Sequence, residues 1–169
     1  MTSTNAIPHR IAVVLALTTV SACTARETPE SIDLEVSQIF VTEPATGERA
    51  AMYFSLTNNG SVDDQLLAVS TAAAGVAEIH RTENDGGMMK MVPVDALTVP
   101  AGERIDLAPG GYHVMLLELT GPLSHDDRFD VTLRFRHAGD VVARARVIRY
   151  EDVDELVGTA TRRDPHDNR

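Results

Sequence analysis

Four side chains with soft or borderline donor atoms stand at set intervals in the sequence. They are His80, Met91, His113 and Met115, separated by ten, 21 and one residues. On a strand, His113 and Met115 project from the same side about 6.6 Å apart along the chain, close enough for an imidazole and a long thioether to reach one ion. That side would continue through Leu117 and Leu119 as a buried face, placing the pair where it meets the open end of a barrel, after the Pro109-Gly110-Gly111 turn. His80 is expected near the end of one strand, before a loop over Arg81–Gly87, and Met91 on the next, so that a hairpin brings the two together. Thioether sulfur is soft and imidazole borderline, and two of each favour Cu(I) over zinc, magnesium or calcium. The expected load is one Cu(I) per chain, and an uncharged donor set suits a monocation.

Other residues rank below these four. Met89 shares its strand parity with Met91 and is a possible auxiliary ligand, whereas Met88 is expected to pack and Met52 to lie in the core. His125 and His137 read as solvated loop residues. Glu78 shares a face with His80 and is expected to be solvated, with a contact to the imidazole as the alternative. A blue-copper centre needs a cysteine ligand, and the one cysteine, Cys23, lies outside the domain that carries the four. The chain contains no HExxH, no GxSxG and no glycine-rich phosphate loop after a strand. A filled His₂Met₂ shell leaves little room for a substrate, so the pattern implies holding and handing over an ion, and not an enzyme.

The elements that must position these residues are strands. Turn signals recur at Pro44 and Gly47, Asn58-Asn59-Gly60, Asn84-Asp85-Gly86-Gly87, Pro100-Ala101-Gly102, Pro109-Gly110-Gly111, Gly121-Pro122 and Ala138-Gly139-Asp140. Between them the composition predicts strands at 32–41, 52–57, 65–70, 76–82, 88–94, 104–107, 112–119, 128–136 and 141–149. Phe129, Val131, Leu133 and Phe135 alternate with polar residues, the pattern of a strand with one wet face. No stretch holds a 3.6-residue period over about 12 residues. The predicted class is all-β, a Greek-key barrel or sandwich of about nine short strands.

The ends of the chain carry a different message. Ile11–Val20 is an apolar run of ten residues after Arg10, half the length a bilayer span needs. It ends in Val20-Ser21-Ala22-Cys23, which resembles a bacterial lipobox. The expected organisation is a signal peptide over 1–22, a lipidated Cys23 and tether over 23–31, a domain over 32–150 and a charged tail over 151–169, with one helical turn near 153–157. The formal charge is −10, from 25 acidic and 15 basic residues. Nucleic acid and anionic lipid headgroups both demand a basic surface, so neither is an expected electrostatic partner. Attachment to a membrane would come through the lipid on Cys23, in the periplasm or cell envelope.

The spacing His80-x10-Met91-x21-His113-x-Met115 resembles the signature of the periplasmic copper chaperones of the PCuAC family. The resemblance extends over Ala51-Met-Tyr-Phe-Ser-Leu-Thr-Asn58, Glu78-Ile79-His80, Met89-Lys-Met-Val-Pro-Val94 and Leu107-Ala-Pro-Gly-Gly-Tyr-His-Val-Met-Leu116, within residues 32–149. It implies a cupredoxin-like Greek-key β-barrel that binds one Cu(I) through those two His and two Met, and a metallochaperone serving the copper centres of respiratory oxidases. The implied partner is an envelope protein that donates or accepts copper, either a thiol-bearing chaperone or an oxidase subunit. A monomer is expected. The tail departs from relatives whose C-termini are rich in His and Met: it holds only His166 and no Met. Two other readings remain at this point, an envelope adaptor module without metal and a copper redox enzyme.

Overall fold

The computed structural model describes residues 31–153 together with residue 155. The signal segment, Cys23, the tether before residue 31 and most of the charged tail lie outside the described residues. Ten strands run through the chain: β1 (Leu34–Thr42), β2 (Arg49–Asn58), β3 (Asp64–Thr71), β4 (Ala74–Asp85), β5 (Met88–Pro93), β6 (Leu97–Val99), β7 (Arg104–Leu107), β8 (Tyr112–Leu119), β9 (Arg128–Phe135) and β10 (Asp140–Ile148). The all-β class holds. The nine strands read from the sequence are all present, and β6 is a tenth, only three residues long. No helix among the described residues is long and apolar enough to cross a membrane.

The strands form one hydrogen-bonded path in the order β5-β4-β8-β2-β1-β10-β9-β3-β6, with β7 on the same edge of β2 as β8. Neighbours are antiparallel except β1 and β10, which run parallel. β3 and β4 lie towards opposite ends of this path yet follow each other in sequence, so their short link draws the two ends together and rolls the sheet. The seam between them stays largely unpaired. It leaves a cleft of about 240 Å³ lined by Leu67, Val69, Ala77, Glu78, Ile79 and Pro93.

Two hydrophobic clusters hold the sheet. The main core lies inside the roll and contains Val41, Met52, Phe54, Leu56, Leu66, Val114, Leu116, Val131 and Leu133, each essentially without solvent exposure. The second is small and lies on the outer wall: Phe40, Tyr53, Ile148 and Val153, with Ala51 packed against them. Alternation along a strand assigns residues to the two sides. Met52 and Phe54 on β2 enter the core, while Ala51 and Tyr53 face outward into the second cluster. A 3₁₀ turn at Tyr150–Asp152 follows β10 and sets Val153 onto that cluster, where its side chain is buried. Val153 and Glu155, within the helical turn expected near 153–157, are themselves helical.

The β4–β5 hairpin is longer than the sequence reading. β4 continues through Asp85, and Asp85 pairs with Met88 around a two-residue turn. Gly86 and Gly87 both have positive φ, 60° and 91°, the conformation that matches a tight hairpin turn to strand twist and that glycine adopts without penalty. The region expected to be a loop over Arg81–Gly87 is therefore mostly strand, and His80 stands in the middle of β4, not at its end.

Candidate metal centre

Strand register brings the predicted donors to one face. His80 on β4 pairs directly with His113 on β8, and Glu78 pairs with Met115. Met91 on β5 pairs with Thr82, two residues along β4 from His80. Directly paired residues and residues two apart share a side of the sheet. His80, Met91, His113 and Met115 thus lie together on one side of the β5-β4-β8 strip. Both methionines are diagonal neighbours of His80, at a separation of about 7–8 Å. They flank the His pair from opposite ends: Met91 towards the hairpin tip, Met115 away from it.

That side is the outer one, which corrects the face assigned from sequence. Ile79 and Val114 form the cross-strand pair next to the His pair, and both are buried in the main core. Leu117 shares the outer side with His113 and Met115 and is only half-buried. Leu119 packs against the core beyond Glu118, whose left-handed backbone (φ 55°) breaks the alternation. His113 is nevertheless 3% exposed. The second cluster covers it: the Tyr53 ring lies 6.4 Å from the His113 ring between centroids, and Phe40 stands 5.6 Å behind Tyr53. The His113 and His80 rings are 5.7 Å apart at 64°.

Each imidazole has one nitrogen engaged and one without a partner. His80 Nε2 lies 2.9 Å from Glu78 Oε2, and its Nδ1 is buried with no hydrogen-bond partner. His113 Nδ1 lies 3.3 Å from the carbonyl oxygen of Gly111, and its Nε2 is buried with no partner. The Gly111 carbonyl is delivered by a tight turn in which Gly110 has φ 80° and the Gly111 N–H donates to Ala108 O. A buried polar atom without a partner costs free energy and calls for an explanation; two unpartnered nitrogens on adjacent rings are what a metal-binding His pair leaves exposed to its ion. Burial holds the His113 imidazole below its ordinary pKa; the Gly111 carbonyl opposes this, and the neighbouring His80 adds to it. Neutral imidazole is the form that binds metal.

The other sequence candidates separate clearly. Met91 and Met89 are exposed, at 58% and 63%, and Met88 is also exposed, at 74%, where packing was expected. Met89 pairs with Asn84 on the same face, four positions along β4 from His80, and so stands farther out along the hairpin than Met91. Met52 is fully buried in the main core, as expected. The ring of His125 lies beside Asp126, and the His137 backbone N–H donates to Asp64. Glu78 is solvent-exposed, as read, and also holds the His80 ring. Its parity with His80 was the one sequence signal for this contact. Among the described residues, no three His, Cys, Asp or Glu side chains gather into a metal-binding group.

Comparison with known proteins gives this all-β roll a family. The family model described as "Putative lipoprotein LpqE-like" matches residues 34–147, and the chain belongs to that family. A structure described as the apo PCuAC domain from PmoF1 is 31% identical, with TM-score 0.60 over 71% of this chain and 98% of that one. A copper-bound PCuAC domain from PmoF2 is 25% identical, with TM-score 0.60 over 72% of this chain and 99% of that one. The fold is therefore that of the PCuAC domains, cupredoxin-like as the sequence resemblance implied. Among sequence relatives, "Putative lipoprotein Lxx21020" of Leifsonia xyli is 29% identical over 80% of this chain and 86% of its own length. Protein RP573 of Rickettsia prowazekii is 39% identical over 87 residues, and the match spans 48% of that protein.

Proposed function

We propose that this protein is an exported, lipid-anchored copper metallochaperone. It holds one Cu(I) through His80, Met91, His113 and Met115 and passes the ion to a partner in the cell envelope. The observation that carries the reading is the directly paired His80 and His113, each with a buried unpartnered nitrogen, flanked on the same face by two thioethers. The copper-bound relative of the same fold supports copper as the cargo. The softness of the donors supports Cu(I) as its oxidation state, and the lipoprotein family supports the anchor at Cys23. Met115 is half-buried beside the His pair, whereas Met91 is on the exposed hairpin. Two strand spacings and four register positions separate Met91 from Met115, so Met91 must swing inward to share the ion. That movable ligand is a natural point of release: thiolates of a partner displace the Met91 thioether first and the buried His113 last. A partner assembling the copper centre of a respiratory oxidase is the destination the sequence resemblance implies. Met89, farther out, is an auxiliary donor only in a transient step.

The deciding experiment is a Cu(I) competition titration against a chromophoric chelator under reducing conditions, with wild type beside Met115→Leu and His113→Ala. One tight equivalent in wild type, weakened in both variants, is expected. Absence of binding in wild type leaves a β-sheet adaptor whose partner must be sought by pull-down. Full affinity in Met115→Leu removes Met115 from the ligand set.

A further inference from the structure

We propose that Glu78 is a positioning residue that fixes the His80 tautomer, so that His80 binds copper through Nδ1 while His113 binds through Nε2. This rests on the copper reading above and goes beyond it by assigning the ligating atoms and the residue that selects them. Glu78 Oε2 accepts a hydrogen bond from His80 Nε2–H at 2.9 Å. Hydrogen on Nδ1 instead would bury a donor with no acceptor in reach, since that atom has no partner. The geometry therefore leaves a lone pair on Nδ1. On His113 the order is reversed. Nδ1–H faces the Gly111 carbonyl at 3.3 Å, and the buried lone pair is on Nε2. The two rings are cross-strand partners with centroids 5.7 Å apart, so the two free lone pairs belong to one local site.

Glu78 is placed for this by strand geometry. It sits two residues before His80, on the same side of β4, and directly opposite Met115. Its side chain is 45% exposed at the rim of the cleft between β3 and β4, against 14% for the His80 ring. A carboxylate on the far nitrogen of a ligating imidazole orients the ring, raises its basicity and typically changes metal affinity by about 10–100-fold. The carboxylate also offsets the single positive charge that Cu(I) brings to four neutral donors.

The test is nitrogen-15 NMR of the imidazole rings in the purified chain, without metal and with one equivalent of Cu(I), together with Glu78→Ala and Glu78→Gln. Wild type is expected to hold His80 as the Nε2–H tautomer before loading. On adding Cu(I), the resonances of His80 Nδ1 and His113 Nε2 move, while the ring hydrogens stay on His80 Nε2 and His113 Nδ1. Glu78→Ala is expected to show mixed His80 tautomers without metal and to bind Cu(I) at least about tenfold more weakly. Glu78→Gln, whose amide oxygen can still accept, recovers most of the loss. Tight Cu(I) binding through His80 Nε2 overturns the proposal and leaves the copper reading intact, as does Glu78→Ala with unchanged tautomer and affinity. No Cu(I) binding by wild type overturns the copper reading itself.

Discussion

Replacing His113 by Leu should make the metal-free protein more stable and the copper-loaded state unattainable. His113 is 3% exposed and carries a buried Nε2 with no partner. An unsatisfied buried group of this kind costs about 1–3 kcal/mol. The hydrogen bond surrendered is the 3.3 Å contact from Nδ1 to Gly111 O, worth about 0.5–1 kcal/mol. The Gly111 carbonyl is not orphaned by the change, because the Thr82 backbone N–H also donates to it at 3.1 Å. Leucine matches the volume of the imidazole closely and packs against Tyr53. The net expectation is a gain of about 1 kcal/mol, or about 3–5 °C in melting midpoint for a domain of this size.

Acidity and copper should each move this difference in a defined direction. The folded-state pKa of His113 is below its ordinary value of 6.5. Between those two values the unfolded chain binds the proton and the folded chain does not. The stability associated with the neutral ring is complete above the ordinary value and is lost as pH falls from there through the folded-state value. The variant has no such loss, so its advantage should widen from pH 8 to pH 5. Copper reverses the ranking at neutral pH. Free ion at 100 times the dissociation constant stabilises wild type by about 2.7 kcal/mol, more than the variant's gain, and leaves the variant unmoved. The assay is denaturant unfolding of both chains at pH 8 and pH 5, then at neutral pH with Cu(I) under reducing conditions. A metal-free variant less stable than wild type by about 1 kcal/mol or more at pH 8 would refute the reasoning, because it would mean that the His113 ring is satisfied where it sits.

Three further outcomes separate fold from site. Met52→Ala should cost about 2–5 kcal/mol by denaturant unfolding, because Met52 is fully buried; Met91→Ala, at a 58% exposed position, should stay within about 0.5 kcal/mol yet weaken Cu(I) in the chelator titration. Asp64→Ala should destabilise by about 3 kcal/mol, since its carboxylate accepts the backbone N–H groups of Gln65, His137 and Ala138. Burial raises the Asp64 pKa, but these three bonds outweigh it and hold the group below its ordinary 3.8. Its contribution is present above that value and lost as pH falls below it, so acid titration of wild type should show a stability loss below pH 4 that Asp64→Ala lacks. Gly86→Ala should cost about 1 kcal/mol, read by thermal melting, from backbone strain alone: φ is 60° and an added Cβ meets nothing within 4 Å.

What was legible in the sequence follows from what a strand period can encode. Parity within one strand placed His113 beside Met115 and Met89 beside Met91, because side chains two apart share a face. Pairing across strands is not encoded locally. That His80 stands directly opposite His113, 33 positions on, depends on the register between β4 and β8, which neither segment announces alone. The choice of face failed for a related reason. The centre of β8 is apolar on both sides, so Val114 and Leu116 were as eligible for the core as Leu117 and Leu119. The extension of β4 escaped notice because Thr82–Asp85 projects beyond the core, with no buried residue on either face, and its polar composition is that of a loop. Val153, read only as part of a helical turn in a charged tail, is a buried member of the outer cluster with Tyr53.

The outer location of the His pair has a mechanical consequence. β8 divides its duties by parity: Val114 and Leu116 hold the main core, and His113 and Met115 are released from that task. Substitution of an outer residue can therefore alter the His and Met face without collapsing the roll, which is why the His113, Met115 and Met91 variants are expected to fold. The shielding of His113 is asymmetric. Phe40, Tyr53, Ile148 and Val153 close one side, while the other side leads over His80 to the exposed thioethers of the β4–β5 hairpin. A hydrophobic wall on one side excludes water from the imidazole nitrogen that copper would occupy; an open hairpin on the other gives a partner a single direction of approach. Under the proposed function, the rigid buried His113 would hold the ion and the exposed Met91 would release it.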